Sequence, residues 1–324
     1  MRGMQRFVLR RVIQSAVVLF GLSVLIFTLL VYTPGDPVEL LAASDPDIRA
    51  EDMASLRQYY GLDDPLYIRY VKWLRTVARG DFGYSRTYSV PVTALLRERL
   101  GNTLVLAGTS FLIALVVGVA VGMYSALRQY SAADYGLTIF SFLGLAIPNF
   151  WQGIIMILIF AVWIPLFPAG GMVTPGVSGG WPLVLDRLRH LVLPASVLAT
   201  SGMAAWTRHM RSSMLEVVRQ DYVRTARAKG LAERDVITRH ALRNALLPII
   251  TLIALSIPGV LNGAVLTETV FSWPGMGLLL FQSILGHDFN VAMAVLLLLA
   301  LLTVVFNLLA DVAYAVVDPR IRYA

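Results

Sequence analysis

The chain contains no cysteine, which removes disulfide frameworks, thiolate metal sites, iron–sulfur clusters and cysteine nucleophiles together. Charge is scarce as well. Only 15% of the residues are Asp, Glu, Lys or Arg, against about 25% in an ordinary soluble domain. No Gly-x-x-x-x-Gly-Lys-Ser/Thr run occurs, so the chain offers no Walker-type cradle for nucleotide phosphates. The four histidines, His190, His209, His240 and His287, form no His-Glu-x-x-His pair, which argues against a zinc-dependent intramembrane protease. What fills the remaining space is apolar: 57% of 324 residues are hydrophobic and the mean hydropathy is +0.69. One soluble core cannot hide that surplus, and the few charges are clustered. The composition is that of a membrane protein.

Six stretches without Asp, Glu, Lys or Arg are read as the candidate spans: Val12–Gly35, Asn102–Leu127, Tyr135–Leu185, His190–Thr207, Asn244–Thr267 and Phe289–Ala310. A helix needs roughly 20 apolar residues to cross the hydrocarbon layer, and backbone amides in lipid must be paired within the segment. The expectation is an all-α protein with six transmembrane helices. The third stretch is long enough for a span over about Leu137–Ile164 and a loop rich in Gly and Pro from Pro165 to Pro182. The stretch after Arg10-Arg11 is about twice a signal-peptide core of 7–15 residues, so it reads as a retained first span.

The net charge of +7 orients these spans. With both termini in the cytoplasm, the inner segments 1–11, 128–134, 208–243 and 311–324 hold 16 basic and 7 acidic residues. The outer segments 36–101, 186–189 and 268–288 hold 11 and 13. An excess of Lys and Arg marks the cytoplasmic side. The domain reading is therefore a cytoplasmic arm and first span (1–35), an extracytoplasmic loop domain (36–101), and a five-helix core (102–324) carrying an inner loop at 208–247.

Both loops carry helix signals. Outside, Asp64-Pro65 reads as an N-cap followed by proline at the first helical position, and Gly80 as the terminating glycine. Between them Leu66, Tyr70, Trp73, Leu74 and Val77 share one helical face. That face suits the membrane surface, neighbouring spans or an external partner. A second amphipathic stretch covers Pro91–Leu100. Inside, Asp221 reads as an N-cap for a two-turn helix, Tyr222–Lys229, closed by Gly230. A further helical pattern starts at Ala232, with Asp235 and Arg239 spaced i, i+4, and Pro248 marks the return to the membrane. A two-turn helix is marginal alone in water, so this one needs contacts.

The inner segment Asp221–Leu231, continued by Arg239–Pro248, resembles the cytoplasmic EAA loop of ABC-type importer permeases. Arg224-Thr225-Ala226 stands at the Glu-Ala-Ala positions and Gly230 holds the glycine. Those substitutions, and the wide spacing from Gly230 to Pro248, resemble the dipeptide/oligopeptide/nickel branch. Along the rest of the chain, Thr33-Pro34-Gly35-Asp36-Pro37, Leu62-Asp63-Asp64-Pro65-Leu66, Gly80–Ser85, Asn102-Thr103-Leu104, Glu268–Gly277 and Asp318–Tyr323 are similar to the B-type member of that permease pair.

The resemblance implies a permease subunit working with a homologous second permease, two cytoplasmic ATP-binding subunits and an extracytoplasmic substrate-binding protein. It implies no cofactor in this chain, with ATP and magnesium bound by the ATPase subunits, and a multi-pass location in the cell membrane. Short peptides are the implied cargo; nickel chelates, glutathione and oligosaccharides use similar permeases. On this reading Arg224, Thr225, Ala226, Arg227, Ala228, Lys229, Gly230 and Leu231 couple to an ATPase. Asn149, Gln152, Ser256 and Asn262 are polar groups within the spans. Amides buried in a membrane face protein or water, so these four are candidates for a substrate path, against helix–helix hydrogen bonding or repair of proline breaks. Gly118 and Gly122 form a small-xxx-small pair suited to helix packing. A secondary transporter or channel is the rival class. It usually carries ionisable groups inside its spans, and these six stretches have no Asp, Glu, Lys or Arg.

Overall fold

A computed structural model describes residues 2–32, 50–59, 63–260 and 264–317. Asn262, the Thr33–Pro37 and Asp318–Tyr323 motifs, and Leu62 lie outside the described residues. Among those described, the regular elements are helices. Four are long and apolar enough to cross a membrane, within Arg6–Val31, Val92–Leu127, Glu233–Ile253 and Phe289–Val312, and a bent pair, Ala132–Ala146 with Asn149–Trp163, makes a fifth. The fourth apolar stretch, His190–Thr207, lies inside a 39-residue helix, Gly180–Val218.

Two compact units are built from these helices. The first comprises residues 1–100 and 279–304. In it, helix α1 (Arg2–Val31) is followed by α2 (Ala50–Tyr59) and α3 (Leu66–Ala78). The expected cap of α3 shifts by one residue. Pro65 is the N-cap, because its carbonyl accepts from the amides of Ile68 and Arg69 at 2.9 and 3.1 Å. Asp64 instead meets Lys72 Nζ at 2.5 Å. Gly80 ends the helix with φ of +80°, as its place in the sequence requires. The following loop is tied down by Asp288, 2% exposed, which accepts from Ser85 Oγ at 2.6 Å and from the Thr87 amide at 3.0 Å.

The second unit comprises residues 101–278 and 305–324. The amphipathic stretch Pro91–Leu100 and the second apolar run join in one 36-residue helix, α4 (Val92–Leu127), which continues through Gly101 between them. Helix α5 (Ala132–Ala146) and α6 (Asn149–Ile157) correct the expected single span over Leu137–Ile164: the pair bends by 107°. Proline disfavours the helical conformation in the residue before it, and Ile147, ahead of Pro148, is extended at φ −90°, ψ 125°. A π-wound turn, Leu158–Trp163, completes the segment.

Helix α7 (Gly180–Val218) organises this unit. Gly118 and Gly122 of α4 lie against it: a Cβ at these positions would stand 2.6 Å from Trp206 Cβ and 2.5 Å from the Thr207 carbonyl oxygen. The pair therefore packs helices, and Met210, Met214, Ala245 and Ile249 continue the same core. After α7 come α8 (Asp221–Ala228), the turn α9 (Glu233–Asp235) with its π-wound continuation Val236–Leu242, α10 (Arg243–Val260) and α11 (Ala264–Val270). Pro248 lies inside α10 rather than at its start. Helices α12 (Met276–Leu285) and α13 (Phe289–Val317) complete the order.

Candidate functional site

The inner elbow is built from its one apolar face outward. Val223 and Ala226 of α8 are buried with Val236 and pack against Val217. These contacts supply what a two-turn helix cannot supply itself. Gln220, not Asp221, is the N-cap. Asp221 is the first helical residue, where a carboxylate still favours the helix N-terminus, and it lies 3.6 Å from Arg224.

The remaining predicted coupling residues, Arg224, Thr225, Arg227, Ala228, Lys229, Gly230 and Leu231, are exposed. Ala226 is turned into the chain's own core. Gly230 adopts φ +78° with no atom within 4 Å of a would-be Cβ. The left-handed backbone, not crowding, is what calls for glycine there. Beyond it, Arg227 clasps Glu233 with two donors, Nη2 to Oε1 at 2.8 Å and Nε to Oε2 at 3.1 Å. The expected Asp235–Arg239 pair forms at 3.2 Å.

The hydrogen bonds from Arg227 hold the Glu233 carboxyl below its ordinary range, against the opposing effect of burial. A depressed carboxyl stabilises the fold above its unfolded value and loses that contribution as pH falls through the folded one. The pair is exposed, so its worth is about 0–1 kcal/mol. Glu233→Gln should therefore lower the thermal midpoint slightly at pH 7. The gap to wild type should close as the pH drops below the carboxylate range, which a pH series of melting curves reads directly.

Of the four candidate path residues, the structure joins two. Asn149 and Ser256 line a cavity of about 270 Å³ among α4, α6, α7 and α10, together with Phe111, Trp206, Ser110 and Ser201. The three serine hydroxyls fold back onto helix carbonyls, of Ile253, Leu106 and Leu198. Among the described residues no side-chain hydrogen bond involves Asn149 or the Trp206 indole, so their polar groups are what the cavity offers a guest. Gln152 is not part of this lining. Its amide donates to the Gly144 and Ile147 carbonyls at 2.8 and 3.0 Å and accepts from Thr200 Oγ1 at 2.6 Å. It repairs the break before Pro148 and fastens it to α7. Among the described residues no group of three or more His, Asp or Glu side chains is placed to hold a metal.

Sequence reasoning assigned no role to Glu268, which is fully buried. Its Oε2 accepts from the amides of Gly277 and Leu278 at 2.6 and 3.1 Å, and its Oε1 accepts from Thr103 Oγ1 at 2.7 Å. Thr103 in turn accepts from the Met276 amide at 2.7 Å. Beside it, Asn102 donates to the Pro274 carbonyl and receives Trp273 Nε1 on its own carbonyl. A Cβ on Gly275 would collide with the Glu268 carboxylate. The signal was there: a carboxylate directly after an apolar run, followed by two glycines that let backbone amides approach it.

Residues 118–323 match the family described as binding-protein-dependent transport system inner membrane component, and residues 4–107 match the corresponding N-terminal membrane component. The oligopeptide transport system permease protein AppB of Bacillus subtilis is 46% identical over 99% of this chain and 100% of its own length. The dipeptide transport system permease protein DppB of Escherichia coli K12 is 37% identical over 99% of each. An inward-facing form of the MetNI methionine ABC transporter shares the fold, with a TM-score of 0.53 at 18% identity over 69% of this chain and 96% of that one. With both family matches in order along the chain and relatives alike from end to end, the protein belongs to the inner membrane components of binding-protein-dependent transport systems, the permease subunits of ABC transporters.

Proposed function

We propose that this permease forms half of the pathway of an ATP-driven importer of short peptides. The observation that carries the reading is the end-to-end similarity to permeases named for oligopeptide and dipeptide transport. In this reading the chain crosses the cell membrane six times with both termini in the cytoplasm. The fourth crossing is α7 and the third is the bent pair α5 and α6. A homologous second permease completes the pathway, and an extracytoplasmic binding protein delivers the peptide at the side of the 36–101 loop domain. Two cytoplasmic subunits bind ATP and magnesium, and one of them receives α8.

The exposed basic face of α8 and its glycine-terminated tip support this docking role. Arg224 and Lys229 are directed outward to meet acidic groups, while Arg227 braces the tip through Glu233. Closure of the ATPase pair then pushes on α7 through Val217 and on the π-wound segment Val236–Leu242 that runs into α10, and α7 and α10 both flank the cavity. Asn149 and the Trp206 indole meet peptide amides there without gripping them.

Uptake of labelled di- and oligopeptides by cells lacking this gene tests the proposal. Loss of peptide uptake is expected. Unchanged peptide uptake with loss of nickel or sugar uptake overturns the cargo. Within the pathway, Asn149→Ala should alter the KM for uptake while leaving the thermal midpoint in place. Gln152→Leu should do the reverse, lowering stability by about 1–2 kcal/mol because two carbonyls lose their donors.

A further inference from the structure

Helix α3 meets α1 in an unexpected place. Tyr70 OH is 2.7 Å from Ser23 Oγ, and the Tyr70 ring packs edge-on against Phe20 and Phe27, with centroids 6.3 and 5.4 Å away. Trp73 lies 5.5 Å from Phe27. At 1.5 Å per residue these contacts lie about 6 to 16 Å inside the Val31 end of α1. That stretch is part of the charge-free run Val12–Gly35. A helix touching it there is beside the membrane-spanning segment, not in water above it.

The faces of α3 fit that depth. At 100° per residue, Leu66, Tyr70, Trp73 and Val77 form the side toward α1. Tyr67, Leu74, Ala78 and Val71 continue the apolar arc on one flank. Tyr67 and Val71 are 70% and 53% exposed, and α1 exposes Leu25 and Leu29 at 53% and 62%. The opposite side carries Arg69, Lys72 and Arg75, with Arg79 at the C-cap and no acidic residue anywhere in the helix. Only Lys72 of these four has an ion-pair partner among the described residues, Asp64. A wide apolar arc, a basic polar face and aromatic residues between them are the features of a helix lying in the membrane interface.

We propose that α3 is an interfacial helix whose apolar flank at Tyr67 and Val71 rests in lipid and whose Arg69, Arg75 and Arg79 bind the phosphates of anionic phospholipids. The leaflet it occupies follows from the orientation proposed above; its depth does not. The occupant is lipid rather than an external protein, because α3 lies against the charge-free stretch of a spanning helix and the charges on its other face are all of one sign. The helix thereby anchors the middle of the 36–101 extracytoplasmic loop at a fixed level.

The cysteine-free chain allows a direct test. The full-length protein is spin-labelled at Val71→Cys or Arg75→Cys and placed in vesicles of phosphatidylethanolamine and phosphatidylglycerol. At position 71, collisions with oxygen should exceed those with a water-soluble nickel chelate several-fold, and position 75 should show the reverse. A label at 71 that favours the nickel chelate, or one shielded from both quenchers, overturns the proposal, the latter because protein covers the flank. Each arginine near an anionic surface contributes about a fivefold preference for it. Replacing Arg69, Arg75 and Arg79 with glutamine should therefore cut retention of phosphatidylglycerol by at least that factor on native mass spectrometry. Unchanged retention overturns the headgroup assignment. An impermeant thiol reagent that reaches Arg75→Cys only from the cytoplasmic face overturns the orientation and leaves the lipid contact standing.

Discussion

Replacing Gly230 with valine should reduce peptide uptake by about fivefold or more while the chain still inserts into the membrane and the ATPase still turns over. The argument is conformational. Gly230 sits at φ +78°, where a β-branched residue is an outlier, and holding such a residue there costs about 1–3 kcal/mol. That is roughly a 5- to 150-fold loss in population of the native turn. No neighbouring atom lies within 4 Å of a Cβ at this position, so bulk alone is harmless. Gly230→Asn should consequently be far milder, since asparagine tolerates the left-handed region.

The consequence is mechanical because Gly230 sits at a junction. It closes α8, and the chain leaving it must bring Glu233 back to Arg227 and Val236 under Val223 and Ala226. A different turn would swing the exposed face of α8 away from its proposed socket without disturbing the membrane helices. ATP hydrolysis would continue and transport would not. Uptake and ATPase rates measured together in proteoliposomes read this. Normal uptake by Gly230→Val removes the docking role.

How much of this was legible beforehand depends on the range of the interactions. Helices and their ends follow from local signals, so α8 and its glycine stop were readable from Asp221 to Gly230. The cap errors at Asp64 and Asp221 are one-residue shifts: proline and glutamine hold the capping positions and leave the carboxylates free for Lys72 and Arg224. The break at Ile147-Pro148 was also locally encoded, yet the long charge-free stretch around it made a continuous span the simpler expectation. Gln152 could not be separated from Asn149 by sequence. Both are amides three residues apart beside one proline, and only the approach of Thr200 and Gly144 makes one a brace while the other lines the cavity. Glu268 was the furthest from reach, because its partner Thr103 lies 165 positions away.

That distance makes Glu268 the most consequential single residue outside the proposed coupling helix. Glu268→Ala strips the acceptor from three donors, the Gly277 and Leu278 amides and the Thr103 hydroxyl, in a buried site. A buried donor without a partner costs about 1–3 kcal/mol, so the variant should lose about 3–9 kcal/mol and accumulate poorly in the membrane. Glu268→Gln keeps one oxygen for the two amides and turns an NH2 toward Thr103, whose oxygen has room for a second donor. It should fold with a smaller loss. Thr103→Val keeps the side-chain shape but orphans the Met276 amide, and Thr103→Ser should restore it. Melting curves of the purified proteins order these variants: wild type, then Thr103→Ser, Glu268→Gln, Thr103→Val and Glu268→Ala. If Glu268→Ala melts with wild type, the knot does not hold α4 to the start of α12, and two motifs 165 positions apart owe their pairing to something else.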